Sequence, residues 1–148
     1  MVYLNGVNHG DAIRTPEMSM YASAVSAIPS VRAFLLEAQK EIARHNSVIM
    51  DGRDIGTVVL PKANVKIFLT ASPEVRAKRR TEELLAKGQK ANFEKILKEI
   101  QQRDYQDTHR EVAPLKMCRD SVKLDTSDMD INQVLDAMKK IIGEKIPL

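Results

Sequence analysis

The chain has 148 residues, enough for one domain with a real core but small for a complete enzyme carrying a lid and a second substrate site. A hydrophobic share of 43% and a charged share of 29% are those of a soluble globular protein, while 4% aromatic residues argue against an RNA platform that stacks bases. The net charge of +3 suits an anionic small molecule or weak nucleic-acid contact but discriminates little, and the lone Cys118 excludes an internal disulfide and points to a reducing cytosol. In chain order, "MVYLNGV" reads as a short strand and turn, and "TPEMSMYASAVSAI" as a helix with Thr15 at the N-cap and Pro16 in the first helical position. Pro29 breaks that helix, and Ser30 is the expected cap of a second one, whose apolar stripe is Val31, Phe34, Leu35, Ala38 and Ile42. Val48, Ile49 and Met50 read as a first buried strand and "VKIFL" as a second. Ser72 and Pro73 open a helix that closes on Gly88, and "ANFEKILKEIQQRDYQDTHREV" makes a long helix stopping near Pro114. "SVKLD" is a third strand, followed by a helix capped by Asp128 or Asp130 and ended by Gly143. Helices alternating with short apolar strands predict an α/β fold with a parallel sheet. No run is long and apolar enough for a membrane span or a signal peptide.

Charge is placed unevenly on this frame. Asp51, Arg53 and Asp54 crowd the point just past the apolar "VIM", spaced by Gly52 and Gly56, where an open α/β sheet has its ligand crevice. An ordinary polar loop fits this segment, taken alone, as well as a site does. Arg103, Asp107 and Arg110 stand at i, i+4 and i+7 of the long helix, so two guanidinium groups flank one carboxylate on one face. Such a trio is either a solvated ion-paired face or a grip for a phosphate and a sugar hydroxyl. Arg76, Arg79 and Arg80, with Lys78, form a second basic cluster early in a helix, where cations oppose the dipole. The flexible "LLAKGQKAN" beyond it offers a way for the cluster to close over a triphosphate. His9, His45 and His109 have no metal-ligand spacing, and the acids of "DTSDMD" lack the glycine and the distant glutamate of a calcium loop, so no metal site is expected. None of the six glycines begins the G-x-x-x-x-G-K-[ST] pattern that cradles nucleotide phosphates.

The segments "DGRDIGTVVLPKANVKIFLTASPEVRAKRR" and "NFEKILKEIQQRDYQDTHREVAPL" closely resemble bacterial cytidylate kinases, P-loop enzymes that phosphorylate CMP. The resemblance runs upstream through "IRTPEMSMYASAVSAIPSVRAFL" and downstream through "DSVKLDTSDMDINQVLDAMKKI", nearly the whole chain. It implies a P-loop-kinase-like parallel sheet flanked by helices, from which the first strand and the P-loop are missing. It further implies a single truncated nucleoside monophosphate kinase domain over 1–148, with about 1–28 belonging to the CMP-binding insert and about 76–110 to the lid region and following helix. By the same resemblance Ser23, Arg32 and Asp54 recognise cytosine, Arg53 and Arg110 hold the CMP phosphate, Arg103 with Asp107 meets the ribose, and Arg76, Arg79 and Arg80 close on ATP. Arg53, Arg110 and the three lid arginines are then the catalytic set, neutralising charge as phosphoryl passes. A carboxylate reading the cytosine amino group makes chemical sense, because uracil has no such donor. The implied reaction is γ-phosphoryl transfer from ATP, with Mg²⁺, to CMP or dCMP in the cytoplasm, with no membrane or nucleic-acid partner and no indication of oligomeric state. A non-catalytic CMP-binding remnant or partner subunit is the alternative, and a basic RNA-binding module is disfavoured by the absence of an RNA-binding motif.

Overall fold

Asn5 and Gly6 lie at φ 52° and 77°, the two consecutive positive φ values that a two-residue type I′ hairpin turn requires. They join β1 (Tyr3–Leu4) to β2 (Val7–Asn8) antiparallel, with Tyr3 opposite Asn8 and Leu4 opposite Val7. The computed structural model describes residues 2–10, 13, 16–26 and 28–146, and the chain packs as two compact units, Met1–Ile49 and Met50–Leu148.

The first unit adds α1 (Pro16–Ser26) and α2 (Pro29–His45) to the hairpin. The expected cap of α1, Thr15, lies outside the described residues. Pro29 does not merely end α1. It starts α2, in the first helical position where its missing N–H costs nothing, and so displaces Ser30 from the cap; Ile28 occupies that position without a side-chain bond. Glu41 accepts from Arg44 at 2.6 Å and pairs with His45 at 2.8 Å in the last turn, where cations suit the helix dipole. The apolar stripe of α2 is helical in spacing but open, with Phe34 73% exposed.

The second unit is built on two parallel strands, β3 (Ile67–Thr70) and β4 (Val122–Asp125), in the register Ile67 to Val122 through Thr70 to Asp125. The ladder continues at both ends, through Val122 N to Lys66 O at 2.9 Å and Thr126 N to Thr70 O at 2.8 Å. A parallel pair needs a long crossover, which α3 (Pro73–Ala86) and α4 (Phe93–His109) supply by packing against each other; α5 (Ile131–Lys145) follows β4. The expected strand at Val48, Ile49 and Met50 does not form: these residues pair with no strand, and Ile49 is 98% exposed. Three apolar residues have no strand character of their own without a neighbour to accept their hydrogen bonds.

The helix boundaries follow local chemistry. Ser72 accepts from Val75 N at 3.2 Å with Pro73 behind it, Asn92 accepts from Lys95 N at 2.9 Å, and Gly88 at φ 71° lies just beyond α3. Asp130 rather than Asp128 caps α5, in a reciprocal box with Gln133. α5 then runs through Gly143 to Lys145, because a glycine weakens a helix without ending it. α4 stops at His109, short of Pro114. Buried residues concentrate where strands pass into their following segments: Ala71 after β3, fully buried Ala77 in α3, Leu124 in β4 and Thr126 after it. Thr126 satisfies its hydroxyl by donating to Thr70 O at 3.1 Å and accepting from Arg79 Nη1 at 3.2 Å. Among the described residues no helix is long and apolar enough to cross a membrane.

Replacing the reciprocal cap, Asp130→Ala, is expected to cost about 1 kcal/mol. Urea unfolding should show a lower midpoint at unchanged slope.

Candidate functional site

The residues after Met50 fold into a tight element, not a strand end. Asp54 caps a π-helical turn, Ile55–Val59, and its carbonyl accepts from Val58 N at 2.9 Å and Val59 N at 3.2 Å. Such wide turns are rare, and they occur frequently at functional sites. This turn leaves Arg53 and Asp54 half-buried at its mouth. A Cβ on Gly52 would stand 2.9 Å from Ile55 Cγ1, so any larger residue there would force the Ile55 side chain to shift.

Arg53 donates through Nε to Asp107 of α4, joining the turn to that helix. Arg103 lies one turn back on α4, its Nε 3.9 Å from the same carboxylate oxygen. Asp107 is the most enclosed of the three, its side chain 15% exposed, and it stands in the last turn of α4, where the helix dipole disfavours an anion. Two guanidinium groups offset that cost. Asp107 also anchors the next segment through its carbonyl, which accepts from Leu115 N at 2.7 Å.

Arg110 departs from the expected i+7 position on the helix face. It is the C-cap, with ψ 143°, and its Nε donates to Ala113 O at 2.7 Å while Ala113 itself takes a positive φ of 49°. The chain turns at this point, so Arg53, not Arg110, is the second guanidinium at Asp107. Arg110 instead presents a buried Nη2 without a hydrogen-bond partner among the described residues. A buried donor without an acceptor is costly and marks a place for an acceptor to bind.

The basic cluster of α3 divides. Arg76 grips Asp104 of α4 with two parallel bonds, Nη1 to Oδ1 at 2.9 Å and Nη2 to Oδ2 at 2.5 Å, and gives Nε to Ala71 O at 3.0 Å. Arg79 donates to Thr126 O at 2.5 Å and Met129 O at 3.0 Å, tying α3 to the segment after β4. Arg80 pairs only locally, with Glu83 at 2.8 Å. Of the remaining expected residues, Arg32 is half-buried on α2, its amide donating to Ile28 O at 2.9 Å, and Ser23 lies on α1 with its side chain outside the description. Both belong to the first unit, whereas Arg53, Asp54, Arg103, Asp107 and Arg110 belong to the second.

Sequence reasoning passed over Asp104 and Lys66. Asp104 sits between two recognised positions on α4, and only the packing of α3 on α4 reveals its partner. Lys66, at the start of the β3 ladder, donates from Nζ to Pro61 O and Asp120 Oδ2, both at 2.6 Å, with a side chain 8% exposed. The Arg76 bonds hold the Asp104 carboxyl below its ordinary value of 3.8, against the opposing effect of burial, with the charges of Arg53 and Arg103 adding to the shift.

The second unit is therefore an α/β scaffold on parallel strands, with an arginine–carboxylate cluster suited to phosphates and sugars where one turn meets α4. The chain belongs to the cytidylate kinase family, whose model matches residues 1–144. It is 50% identical over 143 residues to the cytidylate kinase of Fervidobacterium nodosum, an alignment that covers 97% of this chain and 65% of that protein. It is 49% identical over 146 residues to that of Thermosipho melanesiensis, covering 99% of this chain and 67% of that one. The figures for the Carboxydothermus hydrogenoformans enzyme are 46% over 144 residues, 97% and 65%. The chain thus spans about two thirds of the length of the curated relatives it matches.

The depressed pKa of Asp104 has a definite sign in stability. A carboxylate whose folded value lies below its unfolded 3.8 contributes fully above that pH, and the contribution is lost as pH falls through the folded value. Urea midpoints measured downward from neutrality should fall more steeply below pH 3.8 for the wild type than for Asp104→Asn, which has no proton to take up there.

Proposed function

We propose that these residues form the monophosphate side of a cytidylate kinase, which transfers the γ-phosphoryl group of ATP to CMP or dCMP. The observation that carries the reading is the cluster at the end of α4: Asp107 between Arg53 and Arg103, with a buried, unpartnered Arg110 Nη2 close by in sequence. Arg53 and Arg110 hold the CMP phosphate; Arg53 spends its Nε on Asp107, which leaves the forked end of the guanidinium for phosphate oxygens. Arg103 and Asp107 meet the ribose, the carboxylate accepting from a sugar hydroxyl. Asp54 accepts from the cytosine amino group; Ser23 and Arg32, which lie in the first unit, are assigned to base recognition by family resemblance alone. Residues about 1–28 are accordingly part of the CMP-binding insert, and about 76–110 the lid and the helix after it.

In the reaction an oxygen of the CMP phosphate attacks the γ-phosphorus of ATP as the bond to the β–γ bridging oxygen breaks, giving CDP and ADP. No covalent intermediate on the protein is required, and the arginines act by position and charge. Arg53 and Arg110 keep the nucleophile in line. Of the lid arginines, Arg80 is tied only to a neighbouring glutamate and reaches the triphosphate most readily, while Arg76 and Arg79 hold α3 to α4 and to the end of β4.

Mg²⁺ accompanies ATP in such transfers, supplying charge across the phosphates. Three acids of the second unit are taken by basic partners, Asp104 by Arg76, Asp107 by Arg53 and Asp120 by Lys66, and no group of three metal-ligating side chains occurs among the described residues, so these residues do not fit a protein-held ion. No step is assigned to it on this chain. A cytoplasmic location accords with these substrates and with the lone cysteine.

If Asp54 reads the cytosine amino group, calorimetric titration should give tighter binding of CMP than of UMP, and Asp54→Asn should narrow the gap. Equal wild-type affinity for the two nucleotides would remove Asp54 from the site.

A second reading is a CMP-binding remnant or partner subunit without turnover; these 148 residues contain no P-loop sequence. The chain alone is expected to show little ATP-dependent phosphorylation of CMP, since P-loop amides and lysine supply much of the positioning of the triphosphate. A coupled ADP-release assay on this chain, beside one extended by a P-loop-bearing amino-terminal segment, separates the readings. Turnover only in the extended protein supports the kinase, and none in either supports the remnant.

A further inference from the structure

Lysine is an expensive residue to enclose. Its ammonium is strongly hydrated, and a methionine or leucine of similar length fills space at lower cost. Lys66 is nonetheless 8% exposed, while its acidic partner Asp120 is 64% exposed, so the lysine bears the desolvation and the pair resembles a surface ion pair only on the aspartate side. Its contacts show what the enclosure achieves. The ammonium donates to Pro61 O, just past the turn that begins at Asp54, and to Asp120 just before β4. The stem lies under the turn itself: a Cβ on Gly56 would stand 3.3 Å from Lys66 Cδ and 3.0 Å from Cys118 Sγ, so the glycine backbone rests directly on these two side chains. The Lys66 carbonyl meanwhile accepts from Val122 N at 2.9 Å, which fixes the residue to the parallel ladder.

The turn therefore has two attachments. Arg53 ties its leading end to Asp107 on α4. Lys66 ties its underside and trailing end to the amino ends of β3 and β4. We propose that Lys66 is a positioning residue, which sets the height and tilt of the turn and so aims Arg53 and Asp54 at the nucleotide. This rests on the reading of Arg53 and Asp54 as CMP contacts. Lys66 touches no reacting atom and acts through the turn. Its methylenes limit how far Gly56 sinks, and its ammonium limits how far Pro61 lifts.

The test uses the full chain with isotope-labelled arginine, following the Nε–H resonances of Arg53 and Arg76, each assigned by its disappearance in the lysine variant. Lys66→Met keeps most of the stem and removes the ammonium. It should shift the Arg53 resonance and speed its exchange with water about tenfold, leave the Arg76 resonance in place, and weaken CMP about tenfold, with less effect on UMP. Gly56→Ala, which lifts the turn from above without altering Lys66, should move the Arg53 resonance in the same way, and it decides the question if Lys66→Met does not fold. A lowered thermal midpoint with an unmoved Arg53 resonance would overturn the proposal, since Lys66 would then stabilise the fold without aiming the turn. If the wild type takes up no CMP, the nucleotide reading fails while the Arg53 resonance still decides whether Lys66 positions the turn.

Discussion

The ion pair between Arg53 and Asp107 is the contact on which the candidate site depends. It brings a charged turn against the end of a helix far along the chain, and it does so at a position where a carboxylate is otherwise unwelcome, enclosed and near the negative pole of α4. The guanidinium groups of Arg53 and Arg103 make that placement tolerable. Once Asp107 is held, its carbonyl can receive Leu115 N, the chain can reverse at Ala113, and Arg110 is set with one nitrogen buried and unpartnered. Each of these features carries little energy alone. Linked, they define a concentration of donors around one acid.

The parallel pair β3 and β4 supplies the fixed frame. Both strands begin beside the Lys66–Asp120 pair and end where Arg79 and Thr126 bind the following segments together. Arg76 performs the matching task between α3 and α4, with Asp104 as its partner and Ala71 O as its third contact. Arginine suits these posts because its fork satisfies two acceptors at once and stays charged at any physiological pH. The same chemistry makes it a natural phosphate ligand, so structural arginines and those proposed to meet a ligand cannot be separated by residue type. Their partners separate them: Arg76 and Arg79 spend their forked ends on the protein, Arg80 on a local glutamate, and Arg53 spends its Nε.

Much of the helical framework was legible in the residues. Ser72 with Pro73, and Asp130 as one of two candidates for α5, act through neighbours three residues away or fewer and could be read from a string of letters, whereas the Asn92 cap and the Gln133 half of the box came only with the structure. The alternation of helices with "VKIFL" and "SVKLD" likewise announced parallel strands. The local rules failed where two of them competed. Pro29 took the helix start that Ser30 was expected to cap, and α5 ran on through Gly143 because one glycine weakens a helix without ending it.

What the sequence determined by itself was family, the order of the helices with some of their starts, and the types of charged residue present, because residue type and short-range hydrogen bonding decide these things. Tertiary structure alone decided which charges meet. Asp107 found Arg53 across the chain rather than Arg110 on its own segment, Asp104 found Arg76, and Lys66 found the underside of a turn whose π-helical form no periodicity announced. Val48, Ile49 and Met50 have a strand's composition but form no strand, since pairing is a property of two segments and not of one. Ion pairs and strand partners depend on distances between residues remote in sequence, and those distances exist only once the chain has folded.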